Sequence, residues 1–367
     1  IERPYERNPE YSNTLEPFSP VRKAGRGNSP GDRAKQGCPM AESAPSISLN
    51  SASVANRRGM SNKTREALNG WLFASPWIIG FLLFTLIPMA FSLYASFTEY
   101  NIIRAPEWIG IRNYQQIFTR DPYFWKSLEN TFWLVGFKVP IVMIVSIGIA
   151  LLLNVGVPFE RGFRTIIYLP NVLSGVAAVF LWQWILAPDG LFNRGLEYIG
   201  IDGPAWFSDP NWTKPGLIVM GMWWIGGNVM IYLASLKGIP AQLYEAAMID
   251  GANGWQKVRY ITLPMLSPTI FFQIITSIIG TFQIFATVYI IAGSQGRDVA
   301  LGGPGQSLLF YVLYLFNRAF GRVGEARGLQ MGYASALAWI LFVIILVITL
   351  IQIWLSRKWV YYETGES

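Results

Sequence analysis

Pro240-Ala241-Gln242-Leu243-Tyr244-Glu245-Ala246-Ala247-Met248-Ile249-Asp250-Gly251-Ala252-Asn253-Gly254-Trp255-Gln256-Lys257-Val258-Arg259-Tyr260-Ile261-Thr262-Leu263-Pro264 is polar and turn-rich, yet it lies between two of the most apolar segments of the chain. Pro240 suits a helix start, because its fixed φ and missing N–H are compatible with a first turn. Residues 241–249 read as a helix with Leu243, Ala246 and Ala247 on one face. Gly251 can end that helix in a left-handed conformation, and Asn253 can cap a second one. The second helix is expected from Gly254 to Leu263, with Trp255, Val258, Arg259 and Thr262 along one side. Pro264 should break it where the next apolar run begins. Two short helices bent over a glycine, anchored at both ends in apolar runs, make an element shaped to be gripped by another protein.

Working outward, 52% of the 367 residues are hydrophobic and 14% are charged, where a soluble domain has about 25% charged residues. This composition is that of an integral membrane protein. The net charge of +7 could suggest nucleic acid. However, seven of the 29 basic residues fall in the first 35 positions, and most others flank apolar runs, where membrane topology accounts for them. There is no histidine, which removes imidazole acid–base chemistry, His-ligated metals and Ser-His triads. The single Cys38 can form neither an internal disulfide nor a cysteine cluster for zinc.

Residues 1–65 are rich in Pro, Ser, Gly, Asn and Arg without apolar periodicity and read as a disordered cytoplasmic tail. The sequence opens on Ile, and Met40 and Met60 both precede plausible starts, so part of this leader is expected to be dispensable. A secretory signal is not expected, since the first apolar run is too long and too far from the N-terminus. Residues 66–361 form the membrane domain and 362–367 a short tail.

Six apolar runs follow, each able to cross a hydrocarbon core that needs about 20 helical residues. They are roughly 71–97, 131–153, the stretch between Arg164 and Asp189, the stretch between Lys214 and Lys237, 267–292 and 332–355. Six spans put both termini on one side, together with residues 240–264. That side holds Arg57, Arg58, Lys63, Arg65, Arg161, Arg164, Lys237, Lys257, Arg259, Arg357 and Lys358, with two short loops dense in charge. The opposite loops are longer and hold Arg104, Arg112, Arg120, Lys126, Arg194, Arg297, Arg318, Arg322 and Arg327. The positive-inside rule then places the termini and residues 240–264 in the cytoplasm. On the far side, Leu308 to Phe320 is an aromatic amphipathic stretch that either lies flat on the membrane or covers the mouth of a pathway.

The chemistry present is as informative as the chemistry missing. Neither Gly251–Lys257 nor Gly302–Ser307 has the spacing of a phosphate-cradling nucleotide loop. None of the six spans contains Asp or Glu, which argues against proton coupling but leaves carbonyl sodium sites open. Energy for uphill transport therefore enters from outside, and the cytoplasmic helix pair is the point of entry. Lys138 is the one charge within a span; it reads first as a snorkelling side chain, with a role toward substrate or a neighbouring helix as the alternative. Trp223, Trp224 and Asn228 in the fourth span, with Ser277, Thr281, Gln283 and Thr287 in the fifth, offer hydroxyls, amides and aromatic faces suited to a polyhydroxylated neutral solute. Interhelical hydrogen bonding is the alternative use for the same groups. In the last span, Gly332, Ala334, Ala336 and Ala338 form small-residue spacings that read as packing positions.

Glu245-Ala246-Ala247, three residues, Gly251, nine residues, then Ile261-Thr262-Leu263-Pro264 matches E-A-A-x3-G-x9-I-x-L-P throughout. It resembles the EAA loop of ABC importer membrane subunits. Trp108 to Tyr114, Arg161-Gly162-Phe163-Arg164 with Tyr168-Leu169-Pro170, and Gly302-Gly303-Pro304-Gly305 are similar to the sugar-permease branch, of the maltose and glycerol-3-phosphate type. The resemblance covers about residues 68 to 361. It implies an all-α, six-span, type I importer permease fold with cytoplasmic coupling helices, in the cytoplasmic membrane of a prokaryote. It further implies that Tyr244, Glu245, Ala246, Ala247, Met248, Asp250, Gly251, Ile261, Leu263 and Pro264 dock on one of two copies of a cytoplasmic ATPase subunit. That partner binds ATP and Mg; this chain binds no cofactor, holds no catalytic residue or metal, and has no nucleic-acid partner. A second homologous permease and an extracytoplasmic sugar-binding protein complete the system. Ser277 and Thr281 align with sugar-contacting positions of maltose-type relatives, whereas Ile284 stands where a relative has a polar residue. The resulting expectation is a carbohydrate importer permease, with an oligosaccharide as solute. The alternative is an ion-coupled secondary carrier working from a single chain.

Overall fold

A computed structural model of the chain describes residues 62–156, 158–294, 302–321 and 329–361. The polar leader with Arg57, Arg58 and Cys38, the loop residues Arg297, Arg322 and Arg327, and the tail 362–367 lie outside the described residues. From Glu66 onward the chain forms one compact unit.

Among the described residues, four runs of helix are long and apolar enough to cross a membrane: Glu66–Ser96, Pro122–Asn154, Gly254–Ser294 and Met331–Ser356. Two bent pairs, Glu160–Val172 with Gly175–Ile185 and Pro210–Trp224 with Gly226–Lys237, each complete one more span. With each bent pair taken as one broken span, the helices account for all six apolar runs of the sequence.

The first span consists of α1 (Asn62–Phe81), a π-turn at Leu82–Leu86 and α2 (Ile87–Ser96). It stands largely clear of the rest: Phe73 and Phe84 are more than 80% exposed, and only Ala95 and Ser96 at its end are buried. A two-stranded antiparallel ladder, β1 (Thr98–Glu99) and β2 (Glu107–Trp108), then turns the chain into α3 (Arg112–Arg120). Next comes α4 (Pro122–Asn154), 33 residues and about 50 Å long at 1.5 Å per residue. Its interior Pro140 is tolerated, as in other membrane helices whose neighbours satisfy the freed backbone groups.

The third span bends by 103° between α5 (Glu160–Tyr168) and α6 (Gly175–Ile185). Pro170 opens the break and Leu173 and Ser174 are extended, so the hydrogen-bond ladder cannot pass through them. The amphipathic α5 is held by Glu160, which bridges Arg164 on its own helix and Lys237 of the fourth span at 3.4 Å. After α7 (Leu191–Tyr198), the fourth span runs as α8 (Pro210–Gly221), a 3₁₀ turn at Met222–Trp224 and α9 (Gly226–Lys237), with a bend of 51°. α10 (Ala241–Ile249) and α11 (Gly254–Lys257) form the polar connection to the fifth span, α12 (Leu263–Phe282) and α13 (Ala286–Ser294). α14 (Tyr311–Phe320) and α15 (Met331–Ser356) finish the fold.

Apolar side chains of α4, α9 and α12 pack into one cluster around Val229, Tyr232 and Leu266, all fully buried. A second cluster joins α4, α14 and α15 through Phe124, Tyr311, Tyr314 and Leu337. The small residues of the last span do serve packing. The Gly332 N–H donates to Tyr100 O at 3.0 Å, and a methyl group at Gly332 would drive into the Thr98 carbonyl oxygen. Gly332→Ala is accordingly expected to cost about 1–3 kcal/mol by overpacking, read as a lower melting temperature of the purified protein in detergent.

The stretch from Leu308 to Phe320 is packed into the fold. Tyr311, Leu313, Tyr314 and Asn317 of α14 are buried against the bundle. Thr131 Oγ1 accepts the first helical N–H, from Tyr311, at 3.1 Å, and the Tyr311 hydroxyl donates to Leu337 O at 2.8 Å. Asn130 donates to the carbonyls of Gln306 (2.8 Å) and Leu309 (3.0 Å) just before the helix. α14 thus closes the end of the bundle opposite residues 240–264.

Its far end is fixed by a buried carboxylate. Asp121 caps α4 with Oδ1, accepting from the N–H groups of Tyr123 (3.0 Å) and Phe124 (3.2 Å). Its Oδ2 accepts the hydroxyls of Tyr314 and Tyr333 and pairs with the Arg318 guanidinium at 3.5 Å. Burial, opposed by Arg318 and reinforced by Asp121, raises the Tyr314 hydroxyl above its ordinary value, so it stays a donor.

Candidate functional site

α10 and α11 form a compact corner whose two ends are fixed by backbone chemistry. Pro240 is the N-cap immediately before α10, whose bounds, 241–249, are those read from the sequence. At the other end of α10 the Gly251 N–H donates to Met248 O (3.1 Å) and the Ala252 N–H to Ala247 O (2.8 Å). These are the two bonds of a Schellman cap, and they require the left-handed residue that Gly251 supplies at φ +77°. Asn253 and Gln256 then cap α11 reciprocally. Asn253 Oδ1 accepts the Gln256 N–H at 2.9 Å, and Gln256 Oε1 accepts the Asn253 N–H at 2.7 Å.

The second helix of the corner departs from the sequence reading at Pro264. Helix does not stop there. Lys257 leads into a π-turn, Val258–Thr262, and the backbone passes directly into α12, with Pro264 in its first turn. A proline removes one N–H and crowds the carbonyl four residues before it. The wider π-turn takes up that mismatch, since the Leu263 N–H reaches back five residues to Val258 O. The Thr262 hydroxyl donates to Lys257 O at 3.2 Å, satisfying a carbonyl of the widened turn. With that hydrogen engaged, the Tyr244 hydroxyl is the donor in its 3.0 Å contact with Thr262 Oγ1. Tyr244 thereby ties α10 to the foot of the fifth span. The result is a continuous helical rod from Gly254 to Phe282 with α10 strapped to its base.

The polar and apolar residues of the corner sort by exposure. Thr262 is buried, and Tyr244, Ala247, Ile261, Leu263 and Pro264 are half-buried where the corner meets the spans. Glu245, Ala246, Met248, Asp250 and Gly251 are exposed, as are Ile249 (88%) and Trp255 (70%) at the tip. Of the face expected from periodicity, Leu243 and Ala246 point outward and only Ala247 turns inward. Glu245 makes no ion pair with Lys257 or Arg259 among the described residues.

Midway along the bundle, the breaks in the third and fourth spans meet. Asn171 bridges them: its amide donates to Trp224 O (3.2 Å) and accepts from the Gly227 N–H (3.3 Å). Gly226 permits the approach, because a side chain there would collide with the Ile167 carbonyl oxygen. The sequence reading passed over Asn171; its position next to Pro170 was the available signal. Trp223 and Trp224 are half-buried in this break, and Trp223 meets Trp182 edge to face at 5.5 Å. Asn228 is half-buried in the first turn of α9.

The polar set of the fifth span is more scattered. Thr281 is 4% exposed, Ser277 and Thr287 are half-buried, and Gln283 is exposed in the non-helical link Gln283–Phe285 between α12 and α13. Trp224 packs into the same cluster as Ile284 and Phe285 of that link, which brings the interrupted fourth and fifth spans together through apolar contact. Lower down, α9 and α12 are joined by Ser235 and Thr269, whose hydroxyls are 2.8 Å apart.

Comparison with known proteins agrees with this geometry. The chain is 42% identical over 305 residues to the probable ABC transporter permease protein YesP of Bacillus subtilis (strain 168), covering 83% of this chain and 95% of that one. It is 35% identical over 296 residues to the lactose transport system permease protein LacF of Rhizobium radiobacter, covering 79% and 95%. A crystal structure of a bacterial alginate ABC transporter, in complex with alginate pentasaccharide-bound periplasmic protein, matches with a TM-score of 0.65 at 25% identity. That match covers 81% of this chain and 96% of the other. These relatives are permeases of ABC systems, so the ion-coupled carrier left open by the sequence is set aside. Residues 143–361, more than half of the chain and including the whole α10–α11 corner, match a single family, and this protein belongs to it: the binding-protein-dependent transport system inner membrane components.

Proposed function

We propose that this chain is one of two membrane subunits of an ATP-driven carbohydrate importer and that α10 and α11 are its contact with the ATPase. The observation that carries this reading is the rod from Gly254 to Phe282: the exposed Trp255 at its tip is joined without a break to the fifth span, and α10, which carries the exposed Ile249, is tied to its base through Tyr244 and Thr262. A push on the tip is transmitted to the span as rigid-body motion, because no non-helical link intervenes before Gln283. ATP and Mg bind to the partner. The α1 half of the first span fits a second, homologous permease, since Trp71, Phe73 and Trp77 are exposed on it. The end closed by α14 faces the extracytoplasmic binding protein, and the corner, like both termini, faces the cytoplasm of a prokaryotic cell. The likeness to transporters of lactose and alginate supports a carbohydrate as solute. We assign the substrate pathway to Trp223, Trp224, Asn228, Ser277, Thr281, Gln283 and Thr287, polar and aromatic residues of the fourth and fifth spans.

The test is reconstitution. ATP hydrolysis and uptake of labelled oligosaccharide should appear only when this chain is purified with its nucleotide-binding subunit and second permease, and should rise with the binding protein. Uptake by this chain alone in liposomes, driven by an ion gradient, would overturn the proposal. Glu245→Ala adds a local test. An exposed carboxylate with no internal ion pair leaves stability within about 0.5 kcal/mol when removed, so thermal stability should hold while retention of the ATPase subunit on an affinity column falls. Equal retention would place Glu245 outside the contact.

A further inference from the structure

Lys138 is the cation buried deepest along a span, and its surroundings assign it a use. It stands sixteen residues from either end of α4, about 24 Å at 1.5 Å per residue. Its side chain does not run along α4 toward the nearer surface. It crosses to α8, where Cε lies 3.1 Å and Nζ 3.9 Å from the place a Cβ on Gly221 would occupy. Gly221 is the last residue of α8, immediately before the break in the fourth span. A larger residue there would displace the amine. Among the described residues, no carboxylate or hydrogen-bond acceptor pairs with Lys138, and no span contributes Asp or Glu.

The same break holds two further donors without acceptors. The indole N–H groups of Trp223 and its edge-to-face neighbour Trp182 are both buried, and neither has a partner among the described residues. Three donors, one of them on a lysine, that find no acceptor among the described residues form an environment that is incomplete until something anionic arrives. A charge inside a bilayer is costly and is retained for a partner or a pathway. Discontinuous helices in the middle of the membrane are where transported solutes are held. Aromatic faces at the break suit a pyranose ring, and the amine that reaches Gly221 at the edge of the same break suits a carboxylate on that ring.

We propose that Lys138, with Trp182 and Trp223, recognises the carboxylate of an acidic saccharide in transit, so that the imported carbohydrate contains a uronic acid residue. This rests on the carbohydrate-importer reading and narrows it. A solute carboxylate exchanges its water shell for the Lys138 ammonium and an indole N–H at the break, and a neutral sugar of the same size leaves the amine unpaired.

The experiment uses the whole complex, with its ATPase, second permease and binding protein, in proteoliposomes. The external solution holds a pool of di- to tetrasaccharides in which each uronate-containing member is present beside its carboxyl-reduced counterpart. Imported sugars are identified by mass spectrometry. The expected result is entry of acidic members over their reduced counterparts, a loss of about tenfold or more in that entry for Lys138→Gln, and its retention in Lys138→Arg. Recovery of the intact complex by affinity purification shows that each variant assembles. Should neutral members enter as well as acidic ones, or should Lys138→Gln lower both alike, Lys138 is a helix-end or intersubunit contact and the proposal is wrong while the carbohydrate reading stands. Entry of no saccharide at all, with ATP hydrolysis intact, would overturn both.

Discussion

Gly251→Leu is expected to abolish ATP-driven uptake while leaving the chain inserted in the membrane. Two effects act at this position. Gly251 holds φ +77°, and a residue with a Cβ is strained there by about 1–2 kcal/mol. That strain loosens the two cap bonds from Gly251 and Ala252 that set the angle between α10 and α11. The second effect is external. A Cβ built on Gly251 meets nothing within 4 Å, so a leucine does not crowd its own turn but projects from the exposed tip into whatever docks there. A central interface contact is worth about 2 kcal/mol or more, and every 1.4 kcal/mol or so is tenfold in affinity. Gly251→Ala separates the effects, since it carries the backbone strain with little of the bulk. Uptake and co-purification of the ATPase subunit should fall in the order Gly, Ala, Leu. Normal uptake by Gly251→Leu would sink the docking role of the corner.

Asp121→Ala is expected to be the most destabilising single change in the described fold. The carboxylate is 3% exposed, and its removal strips α4 of its cap and takes the Asp121 contact from the Arg318 guanidinium, which is 14% exposed. Breaking a buried pair in this way costs on the order of 3–5 kcal/mol. Two tyrosine hydroxyls, of Tyr314 and Tyr333, lose their acceptor as well. A melting temperature lower by on the order of 10 °C is the expected reading for the purified complex, with increased proteolysis between α14 and α15. Asp121→Asn should fall between, because an amide oxygen still caps the helix but cannot neutralise Arg318. An unchanged melting temperature in the alanine variant would show that α14 is held by apolar contact alone.

How much of this was legible beforehand differs from element to element. The corner at residues 240–264 could be read almost completely, because a proline, a left-handed glycine and an Asn–Gln box act on atoms within five residues. Its continuation through Pro264 could not. The spacing of Leu263 and Pro264 signals a helix end, and only the π-turn at Val258–Thr262 shows that the backbone evades the proline instead. The six apolar runs were plain from hydropathy, but the 103° and 51° bends were not, since hydropathy is blind to direction. Among functional candidates, the tip residues carried a spacing that could be matched. Asn171 and Asp121 carried none, because each acts on groups that lie far away in the chain.

The sequence by itself determined what is short-range or additive. Six apolar runs follow from summed transfer free energy, the helix caps from local hydrogen bonding, and the family from the spacing of residues 245–264. Tertiary structure alone decided how these parts act on one another. It joined the corner to the fifth span as one rod, brought Asp121 to Tyr314 and Tyr333 across 193 and 212 residues, and turned Lys138 toward the broken fourth span rather than toward the surface. The physical reason is the same in each case. A donor finds its acceptor, and a proline its detour, only when packing has fixed which segments meet, and no periodicity along the chain encodes that choice.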